Sequence, residues 1–205
     1  MSAESLQTLS GVFLEGPLLI TPRVFSDDRG FFYESWNERR FHTELIEAGV
    51  SAQDAQALSF RQDNHSRSSR GVLRGLHYQL PPEPQGKLVR CSVGAIFDVA
   101  VDLRRSSSTF GQWVGVELSA ENHQQLWVPV GFAHGFLTLT AVAEVQYKAS
   151  GFWNRDCERS LRWDDPALAI AWPLDQASVK QPLLADKDAA APDLEHLQAA
   201  GEVWE

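Results

Sequence analysis

Residues 96–103, IFDVAVDL, alternate two sets of side chains: Phe97, Val99, Val101 and Leu103 against Ile96, Asp98, Ala100 and Asp102. A period of two marks a strand, because successive side chains leave opposite faces of a pleated backbone. Similar short runs rich in Val, Leu, Phe and Trp recur along the chain, broken by Gly, Pro, Asp and Ser. They predict strands at 18–25, 31–36, 60–64, 72–79, 87–93, 96–103, 113–118, 125–128, 133–139 and 143–149. Only residues 37 to about 50 read as a clear helix, with Asn37 as cap and Phe41, Leu45 and Ile46 as an apolar stripe. Many short strands with close turns predict an all-β jelly-roll β-sandwich carrying a few peripheral helices. From about residue 160 the chain reads as a turn-rich cover, with a short helix around 193–199. A length of 205 residues fits one domain, 1–205, large enough to bury a core without staples.

Charge narrows the partners. The formal net charge is -9, which argues against nucleic-acid binding, since that needs a basic surface to displace counterions. A few converging Arg and Lys side chains still suffice for one anionic ligand. Cys91 and Cys157 have neither metal nor redox spacing. The start MSAESLQTLSGVF lacks a basic segment followed by an apolar run, and no stretch approaches membrane-spanning length. The expectation is a cytoplasmic protein without membrane contact.

The densest polar cluster is Gln62-Asp-Asn64-His-Ser-Arg-Ser-Ser-Arg-Gly-Val-Leu-Arg74-Gly-Leu-His77-Tyr-Gln79. Strict alternation puts Arg74 and His77 on opposite faces, but a bulge at Gly75 would turn both toward one cavity. The competing reading makes His77 a hydrogen-bonded core histidine and Arg74 a surface charge. Lys87 shares a strand face with Val89, so it points inward if that face is core, and a buried lysine needs a negative partner. In water at a strand end it would need none. His134, in Pro129-Val-Gly131-Phe-Ala-His134-Gly, sits where the backbone is closely approached, or is a satisfied hairpin histidine. Tyr147 shares a face with Val145 and Ala149, and such tyrosines commonly pack with the hydroxyl at a rim.

Pro129-Val-Gly131-Phe-Ala-His134 resembles the second motif of cupin-like enzymes, which hold iron or manganese on histidines. The first motif needs His-x-His, and here the strand offers His77-Tyr-Gln79. Three ligands at recognisable spacing are not available, so no metal site is expected. Neither a G-x-S-x-G elbow nor a dinucleotide fingerprint is present, so no cofactor is expected either.

Several blocks in order carry a more specific signal. They are Phe25-x-Asp-x-Arg29-Gly-Phe-Phe-x-Glu34, Gln62-Asp-Asn64-x-Ser, Val72-Leu-Arg-Gly-Leu-His77, Gln85-Gly-Lys87-Leu-Val, Asp98-Val-Ala-Val-Asp-Leu-Arg, Thr109-Phe-Gly-x-Trp, Gly131-Phe-Ala-His-Gly-Phe and Tyr147-Lys. Together they resemble the dTDP-4-dehydrorhamnose 3,5-epimerase family over nearly the whole chain. The resemblance implies a jelly-roll homodimer, an isomerase of dTDP-rhamnose biosynthesis. It would convert dTDP-4-dehydro-6-deoxy-D-glucose into dTDP-4-dehydro-L-rhamnose through enolates. It further implies that His77 is the base, Tyr147 the opposing acid and Lys87 the oxyanion partner. Asp188 would orient His77, with Asp186 as substitute; Ala185 stands where the family often has Ser. Arg29, Arg74 and Lys187 would meet the diphosphate and sugar. Glu34, Gln62, Asn64 and Glu158 would fix the thymine, the sugars or their neighbours, Trp153 would stack on thymine, and His134 would touch substrate. Two alternatives stay open: an epimerase of one carbon of a related 4-keto nucleotide sugar, and a non-catalytic nucleotide-sugar binder.

Overall fold

The computed structural model describes residues 1–205. The strands are β1 (Ser2–Gln7), β2 (Phe13–Thr21), β3 (Val24–Asp27), β4 (Gly30–Tyr33), β5 (Gln62–Ser69), β6 (Leu73–Gln79), β7 (Lys87–Val93), β8 (Ala95–Asp102), β9 (Trp113–Ser119), β10 (Gln125–Val128), β11 (Phe132–Thr138), β12 (Val142–Ala149) and β13 (Glu158–Ser160). Helices are α1 (Glu38–Glu47), α2 (Ala52–Ala57), α3 (Asp186–Ala189) and α4 (Leu194–Ala200). The strands form a six-stranded sheet, β1-β2-β10-β7-β12-β5, and a five-stranded sheet, β13-β6-β11-β8-β9, with β3-β4 standing apart as a hairpin. Strand neighbours pair antiparallel. Two antiparallel sheets face to face, with few helices, are the jelly roll that the strand pattern predicts. No helix is long and apolar enough to cross a membrane.

The five-stranded sheet is covered on both faces along its central strands, which explains why β8 and β11 are buried almost throughout. Between the sheets lie Val89, Ile96, Ala100, Leu126, Phe132, Phe136 and Val145. Behind the five-stranded sheet, Val99, Val101 and Leu103 meet Leu161, Leu168, Trp172, Leu194 and Leu197 of the C-terminal segment. Behind the six-stranded sheet, Phe41 and Leu45 of α1 and Ala55 of α2 pack on Leu18, Ile20, Leu88 and Trp127. Each such leucine contributes about 2 kcal/mol when fully buried. The 96–103 alternation thus divides between the C-terminal cover and the space between the sheets. Cys91 and Cys157 are free and buried.

Several boundaries differ from the expectation. The 18–25 run begins earlier, at Phe13, and stops at Thr21 because Pro22 has no N–H for the ladder. Val24 to Asp27 instead pairs with Gly30 to Tyr33, and the Asp27 carboxylate accepts from the Arg29 backbone N–H at 2.9 Å to close the turn. The helix expected to about residue 50 ends at Glu47 and is followed by Gly49 at φ 99°, with α2 capped separately by Ser51. Strand β5 runs on to Ser69 and β1 is an added edge strand. Both lack large apolar residues at alternate positions, the pattern by which strands are read.

Candidate active site

Strand β6 opposes Arg74 to Phe136 and His77 to His134, so three steps on β6 match two on β11. The extra residue is a bulge, and it brings Arg74 and His77 to the same cavity. Gly75 makes it feasible. Its φ is 119°, and a Cβ there would lie 2.6 Å from Gly135 Cα and 2.7 Å from the His134 carbonyl oxygen.

The cavity, about 280 Å³, is lined by residues of both sheets and of the C-terminal segment. His77 enters from β6 of the five-stranded sheet and Tyr147 from β12 of the six-stranded sheet, so the two stand on opposing walls. His77 Nε2 lies 2.6 Å from Asp188 Oδ1. A carboxylate only accepts, so Nε2 carries the proton and the free lone pair of the neutral ring is on Nδ1. Burial lowers the pKa of His77 below its ordinary value, against the opposing pull of Asp188. Asp188 is itself buried, on α3, whose N-cap Ala185 offers no side-chain acceptor. Asp186 is exposed.

Lys87 is buried, and its Nζ donates to the His77 carbonyl oxygen at 3.1 Å, joining the two sheets. Burial pulls its pKa down to about 8, partly offset by the negative charges of Asp98 and Glu158. A cation that meets only a carbonyl oxygen and two carboxylate fields keeps capacity for a further negative charge. Burial raises the pKa of Tyr147, with Glu158 adding to the rise, so its hydroxyl keeps its proton across the neutral range.

Other predicted residues take places around this centre. Arg74 Nε donates to Ser68 Oγ at 3.0 Å, Lys187 pairs with Glu158 at 3.2 Å, and His134 Nε2 lies 2.8 Å from Asp98 Oδ1. Trp153 is 54% exposed at the cavity wall. Its loop is tied down by Gln62 Oε1, which accepts from the Trp153 N–H at 2.9 Å, and by Gln79 Oε1, which accepts from the Asn154 N–H at 2.9 Å. Asn64 accepts from Gln62 at 2.9 Å and pairs across the strands with Tyr147, so both belong to the inner face of the six-stranded sheet. Arg29 and Glu34 are not brought in. Arg29 pairs with Asp27 on the exposed β3-β4 hairpin and Glu34 pairs with Arg40 on α1, both outside the cavity of their own chain. Residues that sequence reasoning missed are Ser66, Phe136 and above all Asp98. The signal for Asp98 was present: an acid on the inward side of an alternating apolar strand. Asp102, in the same motif, is structural, since it accepts from Arg104, Ser107 and Thr109 to clamp the loop after β8.

A base and an acid on opposing walls, with a buried cation between the sheets, suit proton removal and return at carbons beside a carbonyl. No group of three or more His, Cys, Asp or Glu side chains is disposed to hold a metal ion.

Comparison with known proteins agrees with this chemistry. A sequence model of dTDP-4-dehydrorhamnose 3,5-epimerase matches residues 12–196. A relative of that name from Pseudomonas aeruginosa is 56% identical over 171 residues, 83% of this chain and 87% of the relative. The structure superimposes on a Legionella pneumophila dTDP-6-deoxy-D-glucose-3,5-epimerase solved with dTDP-4-keto-L-rhamnose, with TM-score 0.83 and 44% identity over 99% of this chain and 98% of that one. It also matches a 3'-monoepimerase from Streptomyces bikiniensis solved with dTDP-quinovose, with TM-score 0.80 and 34% identity over 97% and 92% of the two chains.

Proposed function

The chain belongs to the dTDP-4-dehydrorhamnose 3,5-epimerase family, and from that premise we propose that it inverts C3 and C5 of dTDP-4-dehydro-6-deoxy-D-glucose to give dTDP-4-dehydro-L-rhamnose. The observation that carries this reading is the placement of His77, backed by Asp188, and Tyr147 on opposing walls of one cavity. The C4 ketone acidifies the hydrogens on both flanking carbons. His77 Nδ1 takes a proton from one face, and the electron pair moves into an enolate whose oxygen lies on C4. Lys87 stabilises that oxygen, and one oxyanion position serves both C3 and C5. Tyr147 then delivers its proton from the opposite face, which inverts the carbon. Exchange with water returns a proton to Tyr147 and removes the one on His77, so the cycle closes on the chain's own side chains.

Arg74 and Lys187 hold the diphosphate and sugar, Trp153 stacks on thymine, and Glu158, Gln62 and Asn64 fix the thymine, the sugars or their neighbours. Residues 1–205 act as one epimerase domain closed from about residue 160 by the C-terminal cover. The active form is a homodimer. The hairpin that carries Arg29 exposes Phe25, Phe31 and Phe32 at 53%, 61% and 72%, an apolar surface suited to a second copy. Such packing gives Arg29 and Glu34 a route to the other subunit's substrate.

Incubation with dTDP-4-dehydro-6-deoxy-D-glucose in deuterated water, followed by proton NMR, tests the reaction. Deuterium at both C3 and C5, with an L-configured product, is expected. Exchange at C3 alone would make the protein a single-carbon epimerase, and exchange at neither would overturn the enzymatic reading.

A further inference from the structure

Asp98 has no part in the steps above, yet its position needs a reason. It lies on β8 between Ile96 and Ala100, on the side chain row that faces the space between the sheets, and none of it is exposed. A carboxylate among apolar residues is unfavourable unless its oxygens are compensated. Here Oδ1 meets His134 Nε2 at 2.8 Å, while Oδ2 is buried without a hydrogen-bond partner. An arrangement that leaves one oxygen unsatisfied is poor as a stabilising device, because an apolar residue would serve the core better. What the carboxylate does achieve is to define the state of His134. It can only accept, so the ring proton must lie on Nε2 and the remaining nitrogen, Nδ1, is the one left for the cavity that His134 lines.

The surroundings repeat the construction around the base. His77 and His134 are paired residues on adjacent strands β6 and β11, and each holds an aspartate through Nε2: Asp188 from α3 at 2.6 Å and Asp98 from β8 at 2.8 Å. Asp98 is also foremost among the negative charges acting on Lys87. One carboxylate therefore serves two groups lining the cavity, one through a hydrogen bond and one through its field. From this geometry we propose that Asp98 is a positioning residue acting through His134, which it holds with the proton on Nε2 so that Nδ1 meets the substrate. This rests on the epimerase reading of the same site.

The test is Asp98→Asn with nitrogen-15 NMR of labelled histidine in substrate-free protein, at a pH where the ring is neutral. In the wild type the His134 proton is expected on Nε2. An asparagine amide can donate to Nε2 and so drive the proton to Nδ1, reversing the polarity of the nitrogen that faces the cavity. Losing the orientation of His134 is expected to lower kcat by up to about 100-fold, with KM changed less. In a His134→Asn background the same substitution should add less than about twofold, since coupled residues are non-additive. A wild-type proton on Nδ1 would overturn the proposal whether or not the variant folds, as would full additivity in the double variant. Turnover with the proton on Nδ1 contradicts only the role of Asp98. A proton on Nε2 without any turnover contradicts the epimerase reading instead.

Discussion

Lys87 and His77 set opposite limits on when the site can work. His77 acts as a base only when neutral, and its pKa lies below the usual value, so the rate rises with pH in the acidic range and levels before neutrality. Lys87 supports the enolate only as an ammonium ion, and its pKa is near 8, so the rate falls as pH rises through that value. Tyr147, shifted upward, adds no limb in between. The expected profile of kcat/KM is a bell whose alkaline limb lies near 8, and a rate that stayed flat to pH 10 would remove Lys87 from the reaction. His77 and Lys87 were legible in the sequence as polar residues in apolar runs. Assigning their charges was not, because burial comes from the opposite sheet. Asp188 was reached only by resemblance, since 111 residues separate it from His77 and no local spacing joins them.

The bulge in β6 depends on two glycines meeting back to back. A Cβ on Gly135 would lie 2.6 Å from the Arg74 carbonyl oxygen, a backbone atom that cannot swing away. Gly135→Ala is therefore expected to destabilise the protein by more than about 1 kcal/mol and to lower turnover by shifting Arg74 and His77. Gly11→Ala, at a turn with nothing within 4 Å, bears only the strain of φ 80°. Urea midpoints and kcat for the two variants measure the difference, and equal effects on both would contradict a role for the contact. The bulge itself was foreseeable from Gly75 and the three-residue spacing of Arg74 and His77. The second half of β5 was not. Its inward side chains, Ser66 and Ser68, are polar, Ser66 lining the cavity and Ser68 accepting from Arg74, so the rule that seeks apolar alternation passes over them. The short α3 and β13 were equally illegible, since each is only a few residues long and packs or pairs on β6, far along the chain.

At the scale of the molecule, the jelly roll followed from many short strands with close turns. Its four layers did not, because periodicity tells that a strand is buried on both faces without telling what covers it. The turn-rich C-terminal segment supplies Leu161, Leu168 and Trp172 to a core of its own, and α1 and α2 cover the opposite side. The exposed hairpin gives the whole-molecule prediction. Phe31→Ser with Phe32→Ser should convert a species of about twice 22.9 kDa into a 22.9 kDa monomer in sedimentation equilibrium, with activity falling alongside. A wild type that is already monomeric and active would contradict the dimer.

The central claim is that two walls of one cavity divide the chemistry, with His77 removing the proton and Tyr147 returning it from the other side. Tyr147→Phe in deuterated water separates the two acts. The account predicts that the hydrogens at C3 and C5 still exchange, because the base is intact, while L-configured product forms about 100-fold or more slowly for want of the opposing acid. Loss of exchange together with product in a folded variant would contradict the division and require both steps to pass through Tyr147.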